Sequence, residues 1–254
     1  SKTEFLPFVE RMWPSFISGK HHSIMADAFE RVANGELKRL IINMPPRHTK
    51  SEFASYLFPA WFLGRYPEKK IIQTAHTAEL AVGFGRKVRN LINQTDFQQV
   101  FPGISLSSDS KAAGRWNTNK RGDYFAIGVG GAVTGKGADV LIIDDPHSEQ
   151  EAALGAYNPE VYDKVYEWYT SGPRQRLQPG GAIIVVMTRW SVRDLTGQIV
   201  RAATQRTGAD DWEVIELPAI MPSGDPLWPE FWPADQLEAL KAELPVSKWS
   251  AQYQ

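Results

Sequence analysis

Ile41-Ile42-Asn43-Met44-Pro45-Pro46-Arg47-His48-Thr49-Lys50-Ser51 is the stretch whose reading decides the fold. A short apolar strand runs through a proline-bearing turn into a Lys-Ser pair, and the residues that follow have the apolar spacing of an amphipathic helix. A phosphate-binding loop reads this way, because backbone N–H groups at a helix N-terminus wrap phosphates while the lysine neutralises them. The usual pattern, G-x-x-x-x-G-K-[ST], places a glycine at each end of the turn; here Met44 and Thr49 stand in both places. A Lys-Ser pair without its glycines needs a second half of the site elsewhere in the chain.

That half is Ala138-Asp-Val-Leu-Ile-Ile-Asp-Asp-Pro146, an apolar run that ends in two adjacent carboxylates and a proline that stops the strand. In an ATPase the first carboxylate of such a pair holds Mg²⁺ and the second polarises the attacking water, so both belong at the C-terminal edge of one strand. Asp144 and Asp145 meet that requirement. A third apolar segment, Gly181 to Met187, runs into Thr188-Arg189-Trp190.

Between these motifs, strands of four to seven apolar residues alternate with helical spacings. Two helices are expected between Phe5 and Val32, a strand over Arg39 to Met44, and a helix over Lys50 to Leu63. Strands follow at Lys69 to Ala75, Tyr124 to Val129, Asp139 to Ile143 and Trp212 to Leu217, and helices at Thr77 to Ile92, Pro159 to Thr170 and Ala234 to Glu243. Residues 102–122, poor in aliphatics, are expected to be an exposed excursion, and 128–137, with five glycines, a loop. This alternation predicts an α/β fold: a central, mostly parallel sheet flanked by helices on both faces. Ligands bind such sheets beyond the carboxyl ends of the strands, where Lys50-Ser51, Asp144-Asp145 and Thr188-Arg189 all fall. The expected organisation is an ATPase core over 1–217, including N-terminal helices in 1–35, and a proline-punctuated lid or linker over 218–254.

Composition narrows the chemistry. The chain has 254 residues, 43% hydrophobic and 22% charged, which is ordinary for a globular protein with a buried core. It has no cysteine, so disulfides, thiol catalysis and thiolate metal sites are excluded. No apolar run approaches the roughly 18 residues that span a bilayer, and an intracellular, membrane-free protein is expected. The 28 basic residues balance 29 acidic ones, so any contact with nucleic acid must be local. Arg86, Lys87 and Arg89, and the Lys111 to Arg121 stretch, are the candidate surfaces.

With these motifs assembled, the chain resembles the N-terminal ATPase domain of the large terminase subunit of tailed bacteriophages. The residues that carry the resemblance are Pro45-Pro-Arg-His-Thr-Lys-Ser51, Phe58-Pro-Ala-Trp61, Thr134-Gly-Lys-Gly137 with Ile142-Ile-Asp-Asp-Pro146, Thr188-Arg-Trp190 and Pro226-Leu-Trp-Pro229. The resemblance implies a P-loop ATPase of the additional-strand class that uses ATP and Mg²⁺ to drive double-stranded DNA into a procapsid. Its implied partners are the portal protein of the procapsid, the small terminase subunit and further copies of itself in a ring, a pentamer on the portal, in the cytoplasm of the host. A nuclease domain, absent here, would follow residue 254.

Roles follow. The loop from Pro46 through Arg47, His48, Thr49 and Lys50 to Ser51 would cradle the phosphates, with Lys50 on the β- and γ-phosphates and Ser51 and Asp144 serving the metal. Asp145 would activate water, with the side chain one methylene shorter than the glutamate common in this class. Thr188 and Arg189 match the family's coupling motif. The charge-neutralising arginine finger is open between Arg47 in cis and a neighbouring subunit, with Lys136 as a stand-in. No glutamine precedes Gln73 to read adenine, which leaves Phe5, Phe8, His21 and His22 as candidates. A helicase-like, nucleic-acid-dependent ATPase outside packaging is the alternative function. Thr49 should strain the loop and leave it poorly formed without nucleotide.

Overall fold

The computed structural model describes all 254 residues. Helices α1 (Phe5–Met12) and α2 (Lys20–Ala33) precede β1 (Arg39–Asn43). After the loop, a π-helical stretch (Glu52–Leu57) continues into α3 (Phe58–Arg65), followed by β2 (Lys70–Ala75), α4 (Ala78–Ile92) and α5 (Thr95–Val100). A hairpin of β3 (Leu106–Ala112) and β4 (Arg115–Thr118) leads to β5 (Asp123–Gly128) and β6 (Ala138–Asp144). Then come α6 (Glu149–Gly155), α7 (Glu160–Ser171), β7 (Leu177–Met187), α8 (Leu195–Gln205), β8 (Glu213–Glu216), α9 (Ala234–Glu243) and α10 (Val246–Gln252).

The eight strands form one sheet in the order β3-β4-β5-β2-β6-β7-β1-β8. All pairings from β5 to β8 are parallel, and only the β3–β4 and β4–β5 pairings, at one edge, are antiparallel, so β4 alone runs against the sheet. Side chains alternate faces along each strand. Leu40, Ile42, Ile142, Ile184 and Val186 enter one core with the N-terminal helices, while Ile41, Leu141, Ile143, Ile183 and Val185 enter the other with α7 and α8. Burial on both faces is why these strands read as continuous apolar runs. One strand, β7, separates the loop strand β1 from the acidic strand β6, so the carboxyl ends of the three strands lie side by side.

Three expectations need correction. Residues 102–122 are mostly exposed or half-buried, as expected, but are not without regular structure, because β3 and β4 extend the sheet and Trp116 is fully buried, stacked on Tyr124 with ring centroids 4.6 Å apart. Serine-rich β3 hides its strand character because it is an edge, wet on one side. The helix after the loop is not regular: Phe58 N–H bonds back to the Phe53 carbonyl, five residues away, in a π turn. Pro59 follows at the start of α3, and a wider turn relieves the crowding that a proline ring imposes on the carbonyl four residues back. The third correction concerns α5, α6, α8 and α10, helices of 6, 7, 11 and 7 residues that the sequence reading passed over.

Aromatic packing ties the N-terminal helices to the sheet. Phe5 meets Phe29, Phe53 and Phe58 edge-on at centroid distances of 5.7, 5.6 and 6.2 Å, so α1 and α2 are bound to the helix that leaves the loop. The chain after β8 packs a small cluster of its own from Ala219, Leu237 and Trp249. It also returns to the N-terminus, where Trp228 is 3% exposed and its indole N–H donates to the Ile17 carbonyl at 3.1 Å.

Candidate active site

Parallel pairing of β6, β7 and β1 brings their C-terminal ends together. There Ser51 Oγ donates to Asp144 Oδ1 at 2.9 Å, and Ser55 Oγ, one helical turn further on, donates to Asp144 Oδ2 at 2.6 Å. Gln73 on β2 donates its amide N–H to Ser55 Oγ at 2.8 Å, which closes a chain Gln73 to Ser55 to Asp144. Asp144 is 2% exposed, and its carboxyl is pushed well above the usual carboxylate range, first by burial and next by the charge of Asp145. The hydroxyls of Ser55 and Ser51 and the charge of Lys50 pull it back. A buried carboxylate held only by hydroxyls at its own oxygens, beside a serine Oγ, is a hard oxygen donor set suited to Mg²⁺.

Asp145 takes a different path. Its φ of 40° turns the chain out of the strand, and its carboxylate meets Lys50 Nζ at 3.1 Å and accepts the Thr188 N–H at 2.8 Å. Two motifs on separate strands thus touch directly, and the residue after β7 bonds to the acidic one.

The strain expected of Thr49 is present in the loop. Thr49 has a φ of 75°, as that reading required, and Arg47 a φ of 57°. Of the four non-glycine residues with positive φ in the chain, three lie in this site. Such strain costs about 1–3 kcal/mol per residue and persists only where the surroundings impose it. Here the surroundings are side chains that seize the loop's carbonyls. His48 Nδ1–H donates to the Pro46 carbonyl at 2.8 Å and the Trp232 indole N–H to the Arg47 carbonyl at 3.1 Å. The His48 carbonyl accepts from His21 Nε2 at 3.2 Å and from the Thr49 hydroxyl. Because C=O and N–H of a trans peptide are antiparallel, anchoring these carbonyls turns the amides of Arg47, His48 and Thr49 the opposite way, as anion binding needs.

A cavity of about 550 Å³ opens over the loop, a volume suited to a nucleotide. Lys50, Ser51, Asp145 and Thr188 line it, together with Leu240 of α9 and with Leu244 and Tyr253, which follow the last two helices. Arg47 is the only arginine among the lining residues and has no ion-pair partner.

No family model matches the chain. The large terminase subunit of Enterobacteria phage T3 is 25% identical over 170 residues, a stretch that takes in 66% of this chain and 29% of that protein. The crystal structure of the HK97 bacteriophage large terminase superimposes over 98% of this chain and 50% of its own length, with a TM-score of 0.52 at 15% identity. An arginine-to-alanine variant of the Thermus phage P74-26 large terminase ATPase domain covers 98% of this chain and 98% of its own, with a TM-score of 0.55 at 13% identity. The fold is that of a large-terminase ATPase domain. The chain spans 29% of the T3 protein's length and 50% of the HK97 chain's.

Within this terminase ATPase fold, several sequence candidates lie elsewhere. Phe5 and Phe8 are fully buried in the aromatic core, and His21 and His22 lie sealed behind the loop, so none of the four can stack on a base. Lys136, the stand-in expected to act from a neighbouring subunit, pairs within its own chain with Asp123 at 3.0 Å and sits over the Phe125 ring. Arg189 faces away from the cavity, held by Asp194 at 2.9 Å and Glu216 at 3.6 Å, and Asp194 caps α8 through the Gly197 N–H. Sequence reasoning missed Ser55 and Gln73. The spacing of Ser51 and Ser55 on one helix face was the available signal; Gln73 had none, because its role exists only across strands.

Proposed function

We propose that this chain is the ATP-hydrolysing part of a viral DNA-packaging motor. The reading rests foremost on the direct Lys50–Asp145 contact at 3.1 Å beside the Ser51–Asp144 hydrogen bond at 2.9 Å, which joins the two motifs an ATPase needs. Lys50 and the loop amides bind the β- and γ-phosphates, and Ser51 and Asp144 hold Mg²⁺. Mg²⁺ when bound neutralises charge on the phosphate oxygens. Lys50 pairs with Asp145, and phosphates that draw the ammonium away would release the carboxylate to orient and activate water. Arg47 neutralises transition-state charge in cis. Thr188, whose N–H holds Asp145, and Arg189 beyond it carry the loss of the γ-phosphate toward α8. The product is ADP and phosphate.

The work done is translocation of double-stranded DNA into a procapsid, by a ring of copies docked on the portal and loaded with the small terminase subunit, in the host cytoplasm. In support, the relatives in sequence and fold are large terminases, and no helix is long and apolar enough to cross a membrane. Residues 218–254 serve as the lid, because they contribute Leu240, Leu244 and Tyr253 to the cavity.

The test is phosphate release with Mg-ATP. Lys50→Ala and Asp145→Asn should each lower kcat by at least about a hundredfold. Arg47→Ala should lower kcat while leaving nucleotide binding near that of the parent. Undiminished turnover in Lys50→Ala would refute the assignment of the site.

A further inference from the structure

We infer that His22 is a positioning residue for the phosphate loop, and that His22 and Thr49 together replace the glycine this loop ordinarily carries. The inference rests on the nucleotide reading of the site. It starts from a conflict: Thr49 occupies the glycine position with a φ of 75°, where a β-branched side chain is disfavoured. The resolution is a hydrogen-bond relay with one consistent direction. His22 is the third residue of α2, and its Nδ1 accepts the Gly19 N–H at 2.8 Å, capping the helix. That bond leaves the ring proton on Nε2, which donates to Thr49 Oγ1 at 2.7 Å. The Thr49 hydroxyl donates in turn to the His48 carbonyl. The relay therefore fixes both the side chain of Thr49 and the peptide plane that precedes it.

Packing holds the imidazole in place. His22 is fully buried, with centroids 4.6 Å from Phe16, 5.0 Å from Phe53 and 5.1 Å from Trp228. Gly19 makes room for this arrangement, since a Cβ there would sit 2.5 Å from Trp228 Cδ1. Burial, with the neighbouring His21 adding to it, keeps His22 neutral, as the relay requires. In a glycine loop neither the hydroxyl nor its donor would have a purpose. Here the side chain that strains the turn is also the handle by which α2 grips it.

A double-mutant cycle on the whole chain tests this. His22→Leu removes the donor; His22→Gln keeps an N–H near the Nε2 position; each is made with Thr49 and with Thr49→Gly. Two quantities are read: amide hydrogen exchange of residues 46–51 without nucleotide, and the Kd for Mg-ATP. With Thr49 present, His22→Leu should speed exchange in the loop and weaken Mg-ATP about tenfold, the loss of one buried hydrogen bond, while His22→Gln recovers most of both. In the Thr49→Gly background His22→Leu should change neither, because the turn no longer needs a handle. Equal effects of His22→Leu in both backgrounds, or unchanged loop exchange with Thr49 present, would overturn the inference. If the parent chain fails to bind Mg-ATP while the exchange cycle still shows coupling, the nucleotide reading falls and the His22–Thr49 pairing stands.

Discussion

His21, His22 and His48 meet behind the phosphate loop with all three rings buried, and burial is the main reason each resists protonation. Their pKa values fall from 6.5 to about 4, about 3 and about 4, respectively, and the Lys50 charge adds to the effect at His48. A histidine kept neutral by the fold contributes stability that is present above its unfolded pKa and lost as the pH falls toward its folded one. The window here runs from 6.5 down to about 3–4. Each such histidine costs roughly 1.4 kcal/mol per pH unit across it. Asp144 acts in the opposite sense, since its carboxyl is raised and acid relieves it, but three histidines outweigh one carboxyl. Urea unfolding should therefore give a lower midpoint at pH 5 than at pH 7, and His22→Gln should show a shallower dependence. Equal midpoints for the parent at both values would contradict the buried, neutral cluster. Strain belongs to this scale too: positive φ at Arg47, Thr49 and Asp145 places three of the chain's four non-glycine outliers at the candidate site.

At the scale of elements, the helix leaving the loop and the segment after β8 do most to shape the site. The π-helical stretch Glu52–Leu57 turns Ser55 onto Asp144 just after Ser51 reaches it, so one helix supplies both hydroxyls that hold the buried carboxylate. The segment after β8 works through tryptophans. Trp228 fills the space beside Gly19 and the three histidines, and Trp232 holds the Arg47 carbonyl. Trp228→Ala should lower unfolding free energy by about 3–5 kcal/mol, the cost of an emptied aromatic site, as read from denaturant midpoints. A loss below about 1 kcal/mol would mean that this segment is not anchored through Trp228. Sequence periodicity located α1, α2 and α4, whose buried faces recur every three or four residues. It missed α6, which has no buried residue at all and so leaves no apolar stripe to read.

Across the whole molecule, folding joins basic clusters that are separate in the chain. Trp116 donates its indole N–H to the Gly85 carbonyl at 3.1 Å, and Arg89 donates to the Lys111 carbonyl at 2.7 Å, so α4 and the β3–β4 hairpin form one edge of the sheet. Arg86, Lys87, Lys111, Lys120 and Arg121 are exposed there, on a chain whose net charge is only −1. If this edge meets DNA, Arg86→Ala with Lys87→Ala should reduce DNA-stimulated ATPase activity and flatten its salt dependence, while basal activity stays near that of the parent. Unchanged stimulation would place the DNA elsewhere. The parallel sheet was legible because strands buried on both faces must be apolar throughout, and the ends of those strands were legible because Lys50-Ser51 and Asp144-Asp145 interrupt them with charge. Residue type and spacing thus determined the fold class and which charged residues meet beyond the carboxyl ends of the strands. Only the tertiary structure decided how the site is held: that His21 and His22 brace the loop from behind rather than read a base, that Arg189 turns to Asp194, that Lys136 is spent on Asp123, and that Gln73 reaches Asp144 through Ser55. The physical reason is range. Periodicity and capping act within a few residues, whereas these contacts join strands and helices whose neighbours exist only once the sheet has set its order.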